Sequence, residues 1–320
     1  MKKLLLGLIF SSCLFLCSCG ETENTGVVYT MDTVVTVSIY NDDNFKEHFN
    51  KIKEIYKEVD LVSNDYKSGK DSISIYDLNH EREAYVSNTL LDILKESIRI
   101  YEKTEGYFNP FIGSLSHKWK DCMKENKVLD STTINDELEI MKNTSLRIDG
   151  NHISIVGDGN IDLGGIAKGY ATDVAKKYLE DNQISSYYID AGNSSIAIGN
   201  KMGKEYTIGL SKPYDFNGYI GIIKDKDKVI SCSSPQNQYV NIDGNIYHHL
   251  INPFNGYPSN KYDSIFVFKQ NALEGDAYST ALFNMGFDKA VNFAKINNLD
   301  ILMYSKDKIL FQTEGVKLYE

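Results

Sequence analysis

Cysteine is scarce, with five in 320 residues. Three of them, Cys13, Cys17 and Cys19, crowd into the first twenty positions, leaving Cys122 and Cys232 for the rest. Two cysteines make no disulfide framework, so an adequate apolar core must hold the fold. Their spacing leaves open whether they pair. Neither has a Cys or His partner at ligand spacing, which argues against a zinc site. Positive charge is also short: 34 Lys and Arg face 44 Asp and Glu, a formal net charge of -10. That balance argues against a nucleic-acid partner. No internal repeat is present, and no low-complexity block lies beyond the N-terminal segment. The longest apolar run, residues 4–16, is too short to cross a membrane as a helix.

What the N-terminus does carry is an export signal. Lys2 and Lys3 precede the apolar run, as in the charged and hydrophobic regions of a secretory signal. The run ends in Leu16-Cys17-Ser18-Cys19-Gly20, which resembles the lipobox of bacterial lipoproteins. The resemblance implies cleavage before Cys19 and a diacylglycerol thioether on its sulfur. Two acyl chains would anchor the protein stably outside the cytoplasm. An ordinary signal peptide cut at a small residue is the alternative. The expected division is a signal over residues 1–18, a lipidated tether over 19–28 and one functional domain over 29–320.

Strand and helix signals mix in the mature chain. Thr33–Tyr40 alternates as a strand. Phe45, Phe49, Ile52, Tyr56 and Val59 mark an amphipathic helix, and Leu91, Leu94, Ile98 and Tyr101 a second. Residues 63–72 read as a polar loop carrying Tyr66, and residues 107–113 as an aromatic turn. Residues 118–144 are charged and poorly periodic, and no element is assigned there. Short strands follow from residue 187 onward. Asp243-Gly244 marks a hairpin. Residues 276–285 and 287–297 read as helices. Without strict alternation of strand and helix, the fold class is mixed α/β (α+β), either one domain or two lobes with a nucleotide cleft between them.

Three clusters carry chemistry. The first is Asp162-Leu-Gly-Gly-Ile-Ala-Lys168, where a glycine pair, Gly164-Gly165, hands a turn to a helix. Glycine allows close backbone approach. A helix N-terminus suits a phosphate, and Lys168 adds a cation one turn in. An ordinary helix cap would look the same, and the stretch matches neither a Walker loop nor a dinucleotide-binding fingerprint. The second cluster is Asp276, Ser279 and Thr280, an oxygen-only set at helical spacing that suits Mg²⁺. A plain N-cap by Asp276 is the alternative. The third is Tyr247-His248-His249, running into a Pro/Gly turn. Adjacent histidines on a strand face opposite sides, so at most one enters a site. His48, His80, His117 and His152 read as structural or exposed.

Taken in order, the motifs become specific. Asp162–Asp173, then Ile189-Asp-Ala-Gly-Asn193, then His249-Leu-Ile-Asn-Pro-Phe-Asn-Gly-Tyr-Pro258, then Gly275-Asp-Ala-Tyr-Ser-Thr-Ala-Leu-Phe283 resemble successive motifs of the FAD:protein FMN transferase (ApbE) family. Met31-Asp-Thr33, Asn64-Asp-Tyr66 and Gly106-Tyr-Phe-Asn-Pro110 with Trp119 resemble its earlier ones. There are departures: Asp32 stands for a usual Gly, Asn109 and Asn252 for Asp, and Ser231-Cys-Ser-Ser234 for a Thr-Ser-Gly-Asp stretch.

The resemblance implies FAD as substrate, Mg²⁺ at its pyrophosphate, and transfer of FMN to a Thr or Ser of an exported acceptor protein, with AMP released. It places Met31 and Tyr66 along the flavin or adenine, with Phe111, Ile112 and Gly113 shaping the same pocket. Asp162 and Lys168 would hold the nucleotide, and Leu250 would line the phosphates. Gly165, Asp276, Ser279 and Thr280 would hold the metal. His249 is the candidate for assisting the attacking hydroxyl, with Asp276 the other possible base. Water would attack from the same place as a Thr, so a Mg-dependent FAD pyrophosphatase is a second reading. A lipoprotein that only binds and scavenges FAD is a third, needing the pocket but not the metal.

Overall fold

The computed structural model describes residues 22–215, 218–235 and 238–319. The expected signal, residues 1–18, and Cys19 lie outside the described residues.

An eight-stranded sheet organises the chain. In spatial order its strands are Glu23–Thr30, Thr33–Tyr40, Tyr187–Ala191, Ser195–Ile198, Lys228–Ser233, Ser264–Lys269, Asp300–Ser305 and Lys308–Gln312. Every neighbouring pair is antiparallel. The middle strands are mostly apolar because both faces of the sheet are covered. Ala197, Val229, Ile265, Val267, Ile301 and Met303 enter a core beneath helices. Their neighbours Ile196, Ile198, Ile230, Phe266, Phe268, Leu302 and Tyr304 enter a second core on the opposite face. Successive side chains of a strand point to opposite sides, so each apolar pair feeds both. The hairpin Tyr206–Ser211 with Tyr219–Asp225 covers the second face through Tyr206, Ile208, Leu210 and Ile223.

Three helices cover the first face: Phe45–Ser63, Ala167–Asp181 and Ala272–Asn284. The last is buried almost all round, which is why it lacks an amphipathic stripe. A small sheet of Glu83–Tyr85, His152–Val156 and Ser145–Asp149 lies apart from the main one. The architecture is a single mixed α/β domain.

Three expectations change. The tether does not run to residue 28, because Glu23–Thr30 is the edge strand of the main sheet. Thr25 and Ser38 hydroxyls meet across it at 2.7 Å, and Gly26 lies directly against the Phe49 ring. The unassigned stretch holds two helices, Gly113–Lys124 and Ser131–Lys142. They bury few residues, because their core is a small one of Leu115, Trp119, Leu129, Ile134 and Ile251. Asp130 caps the second, accepting from the Thr133 amide at 2.9 Å. Finally, the helix expected to start at Asp276 starts at Ala272, capped by Asn271, whose side chain accepts from the Glu274 amide. Asp276 is therefore an interior helical residue, and the N-cap alternative does not hold.

Candidate active site

A cleft of about 290 Å³ opens where the first face of the sheet meets these helices. Its floor is the end of strand Lys228–Ser233 with the helix Ala272–Asn284. Its walls are the Asp162–Lys168 turn, the loop with Tyr107 and Ile112, and the segment from His249. Met31 and Tyr66 stand at its rim.

The helices that bring Lys168 and Asp276 together are locked by two local devices. Gly169 has no room for a side chain, since a Cβ would fall on the Ala272 carbonyl. The Asp173 carboxylate caps the facing helix, accepting from the Ala272 and Leu273 amides at 2.8 and 2.9 Å. Both Lys168 and Asp276 line the cleft, and the lysine's charge acts on the carboxyl.

Asp276 is 6% exposed. Burial pushes its pKa up to about 7, against the opposing pull of Lys168, the Ser231 and Ser195 hydroxyls and the Gly169 amide. Its Oδ1 has no hydrogen bond of full geometry among the described residues. Around it lie Ser279 Oγ, 2.8 Å from Ser233 Oγ, and Thr280 Oγ1, 3.3 Å from Ser233 Oγ. Both helical hydroxyls also donate back to the Asp276 carbonyl, at 2.9 and 3.1 Å. Gly165 faces this group, since a Cβ there would sit 3.3 Å from Thr280 Oγ1. A carboxyl with an unpartnered Oδ1 among hydroxyls is the kind of oxygen set that hard cations take.

The glycine turn differs from the expected phosphate cradle. The Gly164 amide donates to Asp162 Oδ1 at 2.7 Å, and the Ile166 and Ala167 amides donate to the Leu163 carbonyl at 3.0 Å. The Gly169 amide faces Asp276. Much of this helix N-terminus is thus committed to the protein's own oxygens, while Lys168, whose Nζ lies 3.4 Å from the Gly164 carbonyl, also lines the cleft.

His248 ends the strand Asn245–His248 and His249 lies just past it, and the two have different surroundings. His248 is 2% exposed, with Nε2 at 2.7 Å from the Ser259 carbonyl and Nδ1 accepting from the Leu250 amide at 3.1 Å. That pattern requires the neutral ring with its proton on Nε2. His249 lines the cleft, and its buried Nδ1 has no partner among the described residues. Burial, then His248, Lys168 and Lys120, push its pKa down to about 3.

Of Phe111, Ile112 and Gly113, only Ile112 lines the cleft, beside Tyr107, Phe108 and Asn109 of the same loop. Phe111 packs in the core edge-on to Tyr101, 5.7 Å between ring centres. Gly113 serves the backbone instead. Its amide donates to the Asn160 carbonyl at 3.0 Å, and a Cβ would come within 2.8 Å of that oxygen. Neither side-chain position reaches the cleft, because this loop straps the Asn160–Asp162 segment in place. Asn79 completes the strap, bonding both the amide and the carbonyl of Ile161. Leu250 lines the cleft.

The structure adds residues that spacing did not suggest. Lys120 enters the cleft, 4.9 Å from the Tyr66 ring centre. Burial pushes it down, but Asp162, Tyr66 and Asp65 more than compensate and raise it. Burial likewise pushes Asp162 up, yet Lys120, the Gly164 amide, Ser116 and His117 hold it below its ordinary value. His117, read as structural, stacks on Tyr66 at 4.3 Å and pairs with Asp65 at 2.6 Å, bracing the rim. Met31 and Asp32 both have φ near +53°, the hairpin turn between the first two strands, and Asp60 accepts from the Met31 amide. Cys122 and Cys232 do not pair. Cys232 packs with the second core on the far face, while Ser231 and Ser233 face the helices.

Fold and cleft together define a single-domain α/β protein with a cleft that gathers Lys120, Lys168, Asp162 and the buried Asp276. The chain belongs to the ApbE family, whose model matches residues 31–303. An FAD:protein FMN transferase of Vibrio cholerae serotype O1 is 29% identical over 264 residues, covering 80% of this chain and 78% of that protein. One from Klebsiella pneumoniae strain 342 is 27% identical over 253 residues, covering 76% and 78%. The fold is shared with the ApbE protein of Thermotoga maritima, with a TM-score of 0.79 at 24% identity over 88% of this chain and 94% of that one. It is shared also with the flavin transferase ApbE of Vibrio cholerae, with a TM-score of 0.78 at 24% identity over 92% and 98%.

Proposed function

We propose that this protein is an FAD:protein FMN transferase that uses Mg²⁺ and moves FMN from FAD to a Thr or Ser hydroxyl of an exported acceptor, releasing AMP. One observation carries the reading: in a chain of this family, Lys168 and the Asp276 carboxyl, its Oδ1 unpartnered among the described residues, share one cleft with the Ser279 and Thr280 hydroxyls. Asp276, Ser279, Thr280 and the backbone at Gly165 would hold the metal. Bound there, Mg²⁺ would neutralise charge on the pyrophosphate.

The residues of the chain supply the rest. Lys168 balances charge on the diphosphate, and Asp162 with Lys120 and Tyr66 positions a ring system at the rim. The acceptor oxygen attacks the FMN-side phosphorus, the anhydride P–O bond breaks, and the bridging oxygen leaves with AMP. Positioning and charge neutralisation account for most of the catalysis such a step needs. His249 is neutral, and its unpartnered Nδ1 is the acceptor for the hydroxyl proton. A bound diphosphate offsets the lysine charges that depress it and makes it a better base.

The Lys2-Lys3 and Leu16-Cys17-Ser18-Cys19 segment supports export and lipid anchoring at Cys19, which puts the acceptor outside the cytoplasm. The test is FAD, Mg²⁺ and a Thr-bearing acceptor peptide, read by mass spectrometry of the peptide and by AMP. A flavinylated peptide with stoichiometric AMP is expected. AMP without peptide label would make the protein a pyrophosphatase, and neither product would make it a binder. Asp276→Ala is expected to abolish AMP release and leave metal-free FAD binding intact.

A further inference from the structure

Behind Asp276 lies a polar group that the cleft does not explain. Ser195 and Ser231 are 0% exposed and sit opposite one another on adjacent strands. The Oγ of each has no hydrogen bond of full geometry among the described residues, and the same is true of Asp276 Oδ1. Three buried polar atoms left in this state call for a reason, since such groups are almost always paired. They are near one another, because the helix carrying Asp276 packs on both of these strands. Ser231 is also pressed against the helix, because a Cβ at Gly275 would fall on its Oγ. The glycine before Asp276 is what lets this hydroxyl approach.

Strand alternation explains the arrangement. Ser231 and Ser233 share one face, so one meets the helix at Gly275, beside Asp276, and the other meets Ser279 and Thr280. The sheet thus presents hydroxyls to both ends of the proposed metal-binding set.

Resting on the functional reading above, we propose that Ser195 and Ser231 are positioning residues: a buried two-hydroxyl brace that orients the Asp276 carboxylate as a cation ligand. In this brace each hydroxyl is the donor reserved for the carboxylate, on the side away from solvent. Partners of this kind fix a ligand's direction and strengthen it, and their loss costs about 10–100-fold in metal affinity.

The test is Mg²⁺ titration by calorimetry on full-length protein with FAD bound, comparing wild type with Ser195→Ala, Ser231→Ala and Ser231→Cys. Metal-free FAD binding, read by flavin fluorescence, and Tm are measured alongside. The two Ala variants are expected to weaken Mg²⁺ binding about 10-fold or more, with metal-free FAD binding within about twofold. Ser231→Cys fills a similar space with a weak donor, so it is expected to lose affinity like Ser231→Ala. Excess Mg²⁺ should restore AMP release in all three. Unchanged Mg²⁺ affinity in the Ala variants overturns the brace, as does a Cys variant that binds like wild type, since packing alone would then explain Ser231. A wild type that binds no Mg²⁺ defeats the functional reading instead, so the two failures are distinguishable.

Discussion

At the scale of single residues, environment assigns the roles. His248 and His249 are chemically identical and adjacent, yet one is a core hydrogen-bonding residue and the other faces the cleft. The pKa of His248 is pushed down to about 4, chiefly by burial. An unfolded histidine titrates near 6.5. Between those values the unfolded chain binds a proton that the folded one refuses, so stability is full above pH 6.5 and falls as pH drops toward 4. His248 should therefore cost about 2 kcal/mol of stability between pH 7 and pH 5. Urea unfolding at both values checks this, with His248→Gln expected to show a shallower loss on acidification. His249 contributes in the same direction in both proteins and cancels from the comparison. Asp276 and Asp162 make the same point: the Lys120 ammonium and the Gly164 amide hold half-buried Asp162 down against desolvation, while burial lifts Asp276.

At the scale of elements, the site is a consequence of how two helices meet. Ala167–Asp181 approaches Ala272–Asn284 backbone to backbone at Gly169, and Asp173 caps the second from the first. Removing the cap by Asp173→Ala should cost about 1–2 kcal/mol, measured by chemical denaturation, and Asp173→Asn should lose less because it keeps an acceptor. Gly169→Ala inserts a methyl against the Ala272 carbonyl and should cost about 1–3 kcal/mol. It should also weaken Mg²⁺ binding, because it moves Asp276 relative to Lys168. A Gly169→Ala protein with wild-type Tm and metal affinity would show that the close approach is not needed.

At the scale of the whole molecule, one sheet with two covered faces carries everything, and its first strand belongs to it. A protein beginning at residue 29 loses most of Glu23–Thr30 and uncovers the edge of Thr33–Tyr40. Compared with one beginning at residue 22, it should be less stable by more than about 2 kcal/mol, since it forfeits at least the burial of Val28 and the ladder beside it. Urea midpoints of the two forms check this. Much of the rest was readable from local physics. Period two marked Thr33–Tyr40, period 3.6 marked the helix Phe45–Ser63, and Asp243-Gly244 marked its hairpin, because each is decided by neighbours in the chain. Even the helix at Ser131–Lys142 had its signal in the Asp130 cap, although its few buried residues hid the period. The order of motifs likewise pointed to Lys168 and Asp276. What no spacing showed was which side chains meet across the fold: Lys120 with Asp162 and Tyr66, Ser195 and Ser231 behind Asp276, Cys232 turned away, Phe111 in the core rather than the cleft. Those contacts follow from strand order and from which face each residue takes, and both are settled only when distant segments pack.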